Sequence, residues 1–499
     1  MKRFLSRLLV IFFCISLAAC NADQNTPAAN SGTSETSGLS TAEISGEITI
    51  SCYNTMRYKS FLEEAARLFE DKYPETRVNV ETFSAMPEIN TANQDNRNMT
   101  AIQMQDDPQG RADYISRVNT SLMSGEGADI LAMDVLPVHK YADGGQLENL
   151  SEYMEADSDF NRSDYRKNIL DAIEYKGGTW FLPMDYTFSY YAYDSTLLQG
   201  DQTASFGTGS AFTIGQLIEL AGASFDGETK LFNSPDYVRG PNAGMFGQLL
   251  NEGYTSFVDL ESKSANFNAG GFAKLLETVK EYSELGYIPR GVTGQRDAGA
   301  IMQQQPTQQT DRYFFKLEDN FSLMQQFNKN SGRKMMIRTA GDGGGIKDDD
   351  EIAGIQADKD GNVPFEFEQA YGLNKNSKNK RTAWAFLKFL LSEEMQTSTK
   401  LSPVALPINN AARQQKAELL ISGAFMGEGK ELDDTLKEVL RQYTEAVEQL
   451  SDQINCYKIK DTIVNDMIAA EVQYFFDGSK TSDDVANVLQ NKVELYLGE

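Results

Sequence analysis

The sequence contains very little histidine, tryptophan and cysteine. Its 499 residues include one histidine, His139, two tryptophans and four cysteines. One histidine cannot supply a multi-histidine metal site or a histidine-dependent catalytic triad, and we interpret His139 as a surface residue. Four cysteines are too few for a dense disulfide framework, which a chain of this length does not need. We therefore expect no metal, no other cofactor and no histidine-based catalysis.

Basic residues are also scarce relative to acidic ones. Lys and Arg total 46 and Asp and Glu total 72, so the formal net charge is −26. Removal of residues 1–19, which contain three basic residues and no acid, would bring the charge to −29. A surface this acidic repels phosphate backbones and anionic lipid headgroups. We therefore expect no nucleic-acid partner.

The N-terminus carries an apolar run that is too short to span a membrane. The run extends from Leu8 to Ala19 and follows three basic residues, whereas a spanning helix needs about 20 apolar residues. It ends in "LAAC" at Cys20, which is typical of a lipoprotein signal. We predict that residues 1–19 are removed and that Cys20 carries lipid. The alternative is an ordinary signal peptide in which Cys20 is incidental.

Residues 20–46 have the composition of a tether. They are rich in Ser, Thr, Asn, Ala and Gly and have almost no bulky apolar side chains. Such a segment cannot bury enough surface to offset its chain entropy. We expect a lipid-anchored protein on the extracytoplasmic face of the cell membrane, with residues 20–46 as a disordered spacer.

The pattern between residues 46 and 134 is typical of an α/β fold. "GEITISCYNT" and "TRVNVETF" alternate apolar and polar residues, and a helical pattern separates them. Strand, helix and strand at this spacing predict a parallel crossover, and "DILAMD" is predicted as a further buried strand. In open parallel sheets, ligands bind beyond the carboxyl ends of the strands. We therefore predict ligand contacts for the residues at those ends, namely Tyr53, Asn54, Met133 and Asp134.

Two short stretches resemble binding loops without completing them. "GDGGG" (Gly341–Gly345) lacks the Lys-Ser/Thr of a phosphate loop, so we interpret it as a loop that can line a cleft. "DKDG" has Gln356 and Phe367 where a calcium loop needs carboxylates. Carboxylate pairs could serve glycoside hydrolysis, but 72 acids favour no particular pair. We identify no catalytic residue.

Several segments occur together in an order that is similar to a known family. They include "FEDKYPETRVNVE", "SLMSGEGADILAMD", "YKGGTWFLPMDYTFSYYAYDSTLL" and "YGLNKNSKNKRTAWAFLKFLLSEEMQ", all behind the lipoprotein signal. In this order the chain resembles, from about Glu47 to Glu499, the family 1 extracellular solute-binding proteins. These are lipid-anchored receptors of ABC sugar importers with the maltose-binding-protein architecture.

The resemblance implies a two-lobed α/β fold of the periplasmic-binding-protein type, with the ligand cleft between the lobes. Three hinge crossings are expected near Thr187–Tyr191, Arg333–Arg338 and Leu401–Pro403. The first lobe would contain residues 47–187 plus 335–400, and the second lobe residues 188–334 plus 401–499. The Gln-rich insert at 294–315 has no counterpart that we can place.

The resemblance also points to the aromatic segment before the first expected crossing. Sugar binding uses flat rings for the apolar faces of the ligand and carboxylates for its hydroxyl groups. On this basis the expected ligand-binding residues are Trp180, Asp185, Tyr186, Tyr190, Phe246 and Asp342. About half of the rings in the segment are expected to be core residues, because successive side chains of a strand face opposite ways.

The resemblance implies a non-catalytic, monomeric receptor that captures a carbohydrate, of oligosaccharide size, and delivers it to the permease subunits of an ABC importer. Two alternatives stay open. One is a receptor for a non-sugar solute such as a peptide or polyamine, which the excess of acids would suit. The other is a lipid-anchored hydrolase of cell-surface glycans.

The lipoprotein assignment predicts that Cys20→Ala releases the protein from membranes, because the polar spacer has no membrane affinity of its own. Fractionation of cells followed by immunoblotting measures the released share. Cys14→Ala, a change of another cysteine within the apolar run, is the matched control and should stay membrane-bound. Retention of the Cys20→Ala protein on membranes in high salt would contradict the assignment.

Overall fold

The computed structural model describes most of the chain. The described residues are 44–53, 59–83, 108–222, 224–233, 241–289, 312–320, 349–398, 401, 406–422 and 432–498. Cys20, the spacer, the insert at 294–315 and the expected crossing at Arg333–Arg338 lie outside these ranges.

Strands and helices are numbered in chain order within the described residues. The strands are β1 (Gly46–Tyr53), β2 (Thr76–Phe83), β3 (Ile130–Ala132), β4 (Leu182–Pro183), β5 (Asp185–Tyr186), β6 (Ser189–Asp194), β7 (Ala211–Phe212), β8 (Lys230–Phe232), β9 (Val258–Asp259), β10 (Ser264–Ala265), β11 (Tyr313–Asp319), β12 (Asp350–Gln356), β13 (Pro364–Phe365), β14 (Ala370–Leu373), β15 (Leu406–Pro407) and β16 (Cys456–Tyr457). The helices are α1 (Lys59–Lys72), α2 (Pro108–Ser124), α3 (Val138–Asp143), α4 (Leu150–Ala156), α5 (Lys167–Ala172), α6 (Ile214–Ala221), α7 (Pro241–Gly253), α8 (Gly271–Glu284), α9 (Lys380–Leu390), α10 (Glu393–Gln396), α11 (Asn410–Ser422), α12 (Asp434–Ser451), α13 (Thr462–Phe476) and α14 (Ser482–Gly498).

The first lobe is built on a five-stranded sheet in the order β2-β1-β3-β14-β4. β1 pairs in parallel with both β2 and β3, which confirms the predicted crossover. β14 pairs antiparallel with β3 and β4. Helix α1 buries its apolar stripe, including Phe61, Ala65 and Phe69, at the helical spacing seen in the sequence.

The second lobe has its own sheet and its own core. Its five strands lie in the order β7-β12-β6-β11-β8. The central strand β6 is antiparallel to both β11 and β12. Alternate residues of β6 face opposite cores: Tyr191 and Tyr193 pack with the second lobe, whereas Tyr190 and Ala192 pack with the first.

Within the described residues, the chain passes between the two lobes at three places. The first crossing lies between β4 and β6, where the sequence predicts one. The second connects β12 of the second sheet with β14 of the first, and the third runs from α12 through β16 to α13. Leu401, where the third crossing is expected, is instead buried in the first core. The architecture is the predicted two-lobed α/β fold. The crossing expected near Leu401–Pro403 does not include Leu401, and the one expected at Arg333–Arg338 lies outside the described residues.

These crossings correct the expected lobe boundaries at two places. Strand β12 lies in the second sheet, although residues 335–400 are expected in the first lobe. Helix α12 packs Tyr443, Val447 and Leu450 into the first core, although residues 401–499 are expected in the second lobe. Pairing with β6 and burial of an apolar helix face are long-range effects that no local pattern reveals.

A buried ion pair joins two strands of the second sheet. The Lys316 ammonium on β11 and the Asp350 carboxylate on β12 form a direct contact, with side chains 2% and 1% exposed. Both charges are removed from water, and their mutual attraction offsets part of that cost. The pair therefore favours this placement of β11 and β12 beside β6.

Lys316→Ala should lower the free energy of unfolding by about 3–5 kcal/mol, because it leaves a buried carboxylate without its cation. Urea denaturation measures the change. Arg67→Ala, which removes the exposed Arg67–Asp71 pair on α1, is the control and should cost about 0.5 kcal/mol or less. Equal small losses in both variants would show that the buried pair is not needed.

Candidate ligand-binding cleft

A cavity of about 540 Å³ lies where the three crossings meet. All three crossings contribute to its lining. The first supplies Thr187 and Phe188, the second supplies residues 357–358 and 364–368, and the third supplies residues 457, 458 and 460. Asp134 enters from the first lobe, and Asn251 and Glu252 enter from the second. Because both lobes contribute residues, the cavity is an interlobe cleft, which confirms that part of the predicted fold.

Two aromatic rings form an apolar wall of this cleft. The Phe367 and Tyr457 rings are stacked, with centroids 5.2 Å apart and planes 30° apart. Both side chains are half-buried and line the cavity, so each retains accessible ring surface. Phe365 packs beneath Tyr457 at 5.5 Å and is buried. Stacked rings at a cavity edge provide the flat surface that ring-shaped ligands require.

The cationic side chains of the cleft are paired with its carboxylates. Lys458 Nζ lies 2.9 Å from Asp358 Oδ2, and both side chains are buried. Lys460 Nζ lies 3.1 Å from Glu366 Oε1 in a more exposed position. Burial acts to raise the pKa of Asp358, but the hydrogen bond and charge of Lys458 hold it below its usual range.

Asp134 and Glu252 line the cleft without a side-chain cation as hydrogen-bond donor. Burial raises the pKa of each carboxyl group to about 7. Asp134 Oδ1 has no exposed surface and accepts no hydrogen bond among the described residues. Glu252 Oε1 accepts a hydrogen bond of 2.8 Å from the backbone N–H of Ile214. Both residues line the cavity, and neither carboxylate forms an ion pair among the described residues.

The expected ligand-binding residues are mostly not on the cleft. Asp134 is the one described residue of that set that lines it. Tyr53, Met133, Tyr186, Tyr190 and Phe246 are buried core side chains, which corrects their expected contact with ligand. Trp180 is half-buried off the cavity, where its Nε1 donates to the Tyr175 carbonyl at 2.8 Å. Asn54 and Asp342 lie outside the described residues.

Asp185 connects two crossings instead of facing the cleft. Its carboxylate is fully buried, and Oδ1 accepts hydrogen bonds from the backbone N–H groups of Glu368 at 2.7 Å and Gln369 at 3.3 Å. Burial raises the pKa of Asp185 to about 7, and burial lowers the pKa of the nearby Lys416 to about 8 against the pull of Asp185. Asp185 is thus a positioning residue for the second crossing.

Phe367, Tyr457, Glu252 and Lys458 are cleft residues that sequence reasoning missed. A signal exists for two of them, since "PFEFE" and "CYKIK" alternate ring or apolar residues with charged ones. Such alternation predicts short strands with one charged face. It does not reveal that the two segments pair, as β13 and β16 do in parallel.

Direct contacts also join the lobes beside the cleft. Arg111 on α2 forms an ion pair of 2.6 Å with Asp466 on α13. His139 Nε2 on α3 lies 3.4 Å from Asp461 Oδ2, at the start of α13, and its side chain is 2% exposed. The expectation of a surface histidine is therefore wrong, because α3 packs against the second lobe. Burial lowers the pKa of His139 despite the neighbouring carboxylate.

Over the described ranges, no helix combines the length and apolar character needed to cross a membrane. The same part of the chain brings together no group of three or more His, Cys, Asp or Glu side chains that could hold a metal ion.

Comparisons with known proteins agree with this architecture. The family model for bacterial extracellular solute-binding protein matches residues 88–419, well over half of the chain. No curated protein matches the chain.

Solved structures with similar folds cover nearly the whole chain. The ABC substrate-binding protein Lmo0181 from Listeria monocytogenes, in complex with cycloalternan, is 16% identical with a TM-score of 0.51, over 91% of this chain and 99% of that one. A family 1 extracellular solute-binding protein from Alicyclobacillus acidocaldarius is 15% identical (TM-score 0.50), over 92% and 100%. The GacH receptor of Streptomyces glaucescens, solved unliganded and with acarbose, gives the same values. At these identities the similarity concerns the fold.

Asp185→Ala should lower the free energy of unfolding by about 1–3 kcal/mol, because it removes the acceptor of two backbone N–H groups. Urea denaturation of the unliganded protein measures this loss. Asp159→Ala, a change of an exposed aspartate, is the control and should be nearly neutral. Unchanged stability together with lost ligand affinity would instead show that Asp185 contacts the ligand.

Proposed function

The chain belongs to the family of bacterial extracellular solute-binding proteins, and from this premise we propose that it captures a carbohydrate, of oligosaccharide size, for an ABC importer. The ligand would bind in the cleft between the lobes and pass to the permease subunits. Two proteins of the same fold have been solved in complex with such ligands, one with cycloalternan and the other with acarbose. Their similarity to this chain supports the proposal through the fold.

The observation that carries the proposal is the composition of the cleft. Phe367 and Tyr457 offer stacked ring surface on one side. Carboxylates and amides of both lobes, including Asp134, Asn251 and Glu252, offer hydrogen-bond acceptors and donors around it. Saccharides have apolar ring faces and hydroxyl edges, so they match this combination. A volume of about 540 Å³ falls within the range of small-molecule sites, about 300–1,000 Å³.

We further propose where the protein works. The signal at residues 1–19, the lipidated Cys20 and the spacer at 20–46 would hold a monomer at the extracytoplasmic face of the membrane. The first lobe would comprise residues 47–186, 370–398 and 406–451, and the second lobe residues 189–356 and 462–499. These ranges follow the two sheets and cores, with the crossings between them.

A thermal-shift screen of the mature chain, with Cys20→Ala to prevent lipidation, tests the proposed function. A matching saccharide at a hundredfold excess over its Kd should stabilise the protein by about 2.7 kcal/mol. Chromatography of the same mixtures after long incubation should recover the saccharide intact. Cleavage products would indicate the glycan hydrolase instead, and stabilisation by non-sugar solutes alone would overturn the carbohydrate assignment.

Phe367→Ala and Tyr457→Ala should each weaken saccharide binding by about 1–3 kcal/mol, because each removes a stacking face from the cleft. Isothermal titration calorimetry measures the affinities. Tyr474→Ala is the matched control, since this ring on α13 is 47% exposed and does not line the cavity. Full affinity in both cleft variants, with folding intact, would contradict the assignment of the ring wall.

A further inference from the structure

We infer that the cleft prefers a saccharide that carries a protonated amine, and that Asp134 and Glu252 are the specificity-determining carboxylates that receive the ammonium group. The inference deepens the proposed function and rests on it. It concerns which carbohydrate class the same cleft accepts.

The charge of the cleft lining is the first observation. Among the described residues that line the cavity, six carboxylates face two lysines. Each lysine is already paired with a lining carboxylate, Lys458 with Asp358 and Lys460 with Glu366. Asp134 and Glu252 form no ion pair among the described residues, so the lining lysines do not compensate their charge. A cationic ligand gains from this field, whereas a neutral saccharide does not.

The environment of Asp134 is the second, independent observation. Asp134 follows β3 at the carboxyl end of the first sheet and reaches the cleft from there. The hydrogen bonds assigned to its carboxylate come from the backbone of Asp134 and Val135. Oδ1 has no exposed surface and no partner among the described residues. A buried carboxylate with an unpartnered oxygen disfavours its own ionised form, so a cation in the adjacent cavity stabilises its charge.

Glu252 places a second carboxylate on the opposite lobe. It lies near the end of α7, and Oε1 accepts from the Ile214 backbone N–H. Lys458, whose charge acts on Glu252, is held by Asp358 at 2.9 Å. A neutral ligand that filled the cavity would remove water from Asp134 and Glu252 without compensating either charge. An ammonium group compensates the charge and donates up to three hydrogen bonds.

The ring wall distinguishes an amine-bearing saccharide from a bare polyamine. Phe367 and Tyr457 provide a stacking surface that a saccharide ring can cover and a linear polyamine cannot. Both ligand classes share the ammonium group, so the experiment compares them directly.

Calorimetry on the mature chain with Cys20→Ala tests the inference with matched trisaccharides. The probes are the β-1,4-linked trimers of glucosamine, N-acetylglucosamine and glucose, the α-1,4-linked trimers of glucosamine and glucose, and spermidine. Within a matched pair, the amine-bearing trimer should bind about 10- to 100-fold more tightly at pH 7, the usual gain of a hydrogen bond to a charged group.

The outcomes separate this inference from the proposed function. Equal or tighter binding of the neutral trimers overturns the inference, but it agrees with the proposed function as a carbohydrate receptor. Binding of spermidine without binding of any saccharide overturns the proposed carbohydrate function. It also overturns the inference that the preferred ligand is an amine-bearing saccharide. Binding by none of the probes overturns both.

Two variants locate the effect at the named carboxylates. Asp134→Asn and Glu252→Gln should each reduce the preference for the amine-bearing trimer about tenfold or more, with a smaller change for the neutral trimer. Glu155→Gln changes the charge equally at an exposed position of α4 and should leave the preference unchanged. A preference that survives in both cleft variants overturns the assignment of these residues.

Proton release gives a readout that needs no variant. Both carboxyl groups have a pKa near 7 in the unliganded protein, and a bound cation favours their ionised form. Binding of the amine-bearing trimer at pH 6, where the amines of the ligand are already protonated, should therefore release protons. Titrations in two buffers of different ionisation enthalpy measure the release. Proton uptake, or no proton exchange, with this ligand overturns the inference.

The neighbouring groups do not obscure this readout. Among the described residues, the groups that interact electrostatically with the two carboxylates are Cys52, Tyr114, Tyr191, Tyr282, Asp358 and Lys458. The same cavity is also lined by the charged side chains of Asp319, Glu366, Glu368 and Lys460. Burial raises the pKa of the thiol and of the three phenols above their ordinary values. The pKa of Asp358 is lowered by its pairing with Lys458. These shifts move the thiol, the phenols and Asp358 away from the range of the experiment.

Discussion

The two lobes depend on the hydrogen bonding of their three crossings to one another. Thr187 of the first crossing and Glu366 of the second exchange backbone hydrogen bonds of 2.7 and 2.9 Å. The second crossing pairs in turn with the third, through β13 and β16. The cleft residues lie on these same segments, so the pairing that joins the lobes also positions the ring wall. Any rotation of the lobes must be absorbed at the ends of the paired segments.

Much of the fold could be predicted from local pattern. Alternation identified β1 and β2, and helical spacing identified α1, because each has one buried face. The collinear order of segments indicated two lobes. The positions of the crossings cannot be predicted in this way, since they depend on pairing between residues that are distant in sequence. β13 and β16, for example, are about ninety residues apart.

The site was less predictable for the same reason. Asp134 was identified because the end of a parallel strand borders a cleft in any such sheet. The prediction that the rings of Tyr186 and Tyr190 face the cleft is wrong. The alternation of side chains along a strand separates its two faces, but it does not show what packs against each face. Here the first core, which includes Tyr443 of the distant helix α12, covers both rings. The rings that line the cleft are those of Phe367 and Tyr457.

The position of His139 gives the molecule a natural reporter. The chain has one imidazole, and it lies at the junction of the lobes, 3.4 Å from the carboxylate that caps α13. Any separation of α3 from α13 would expose that ring to water and change its electrostatic surroundings. Its two carbon-bound ring protons resonate apart from most other signals of a protein. The opening of the cleft can therefore be followed in solution from a single side chain, without any label attached to the protein.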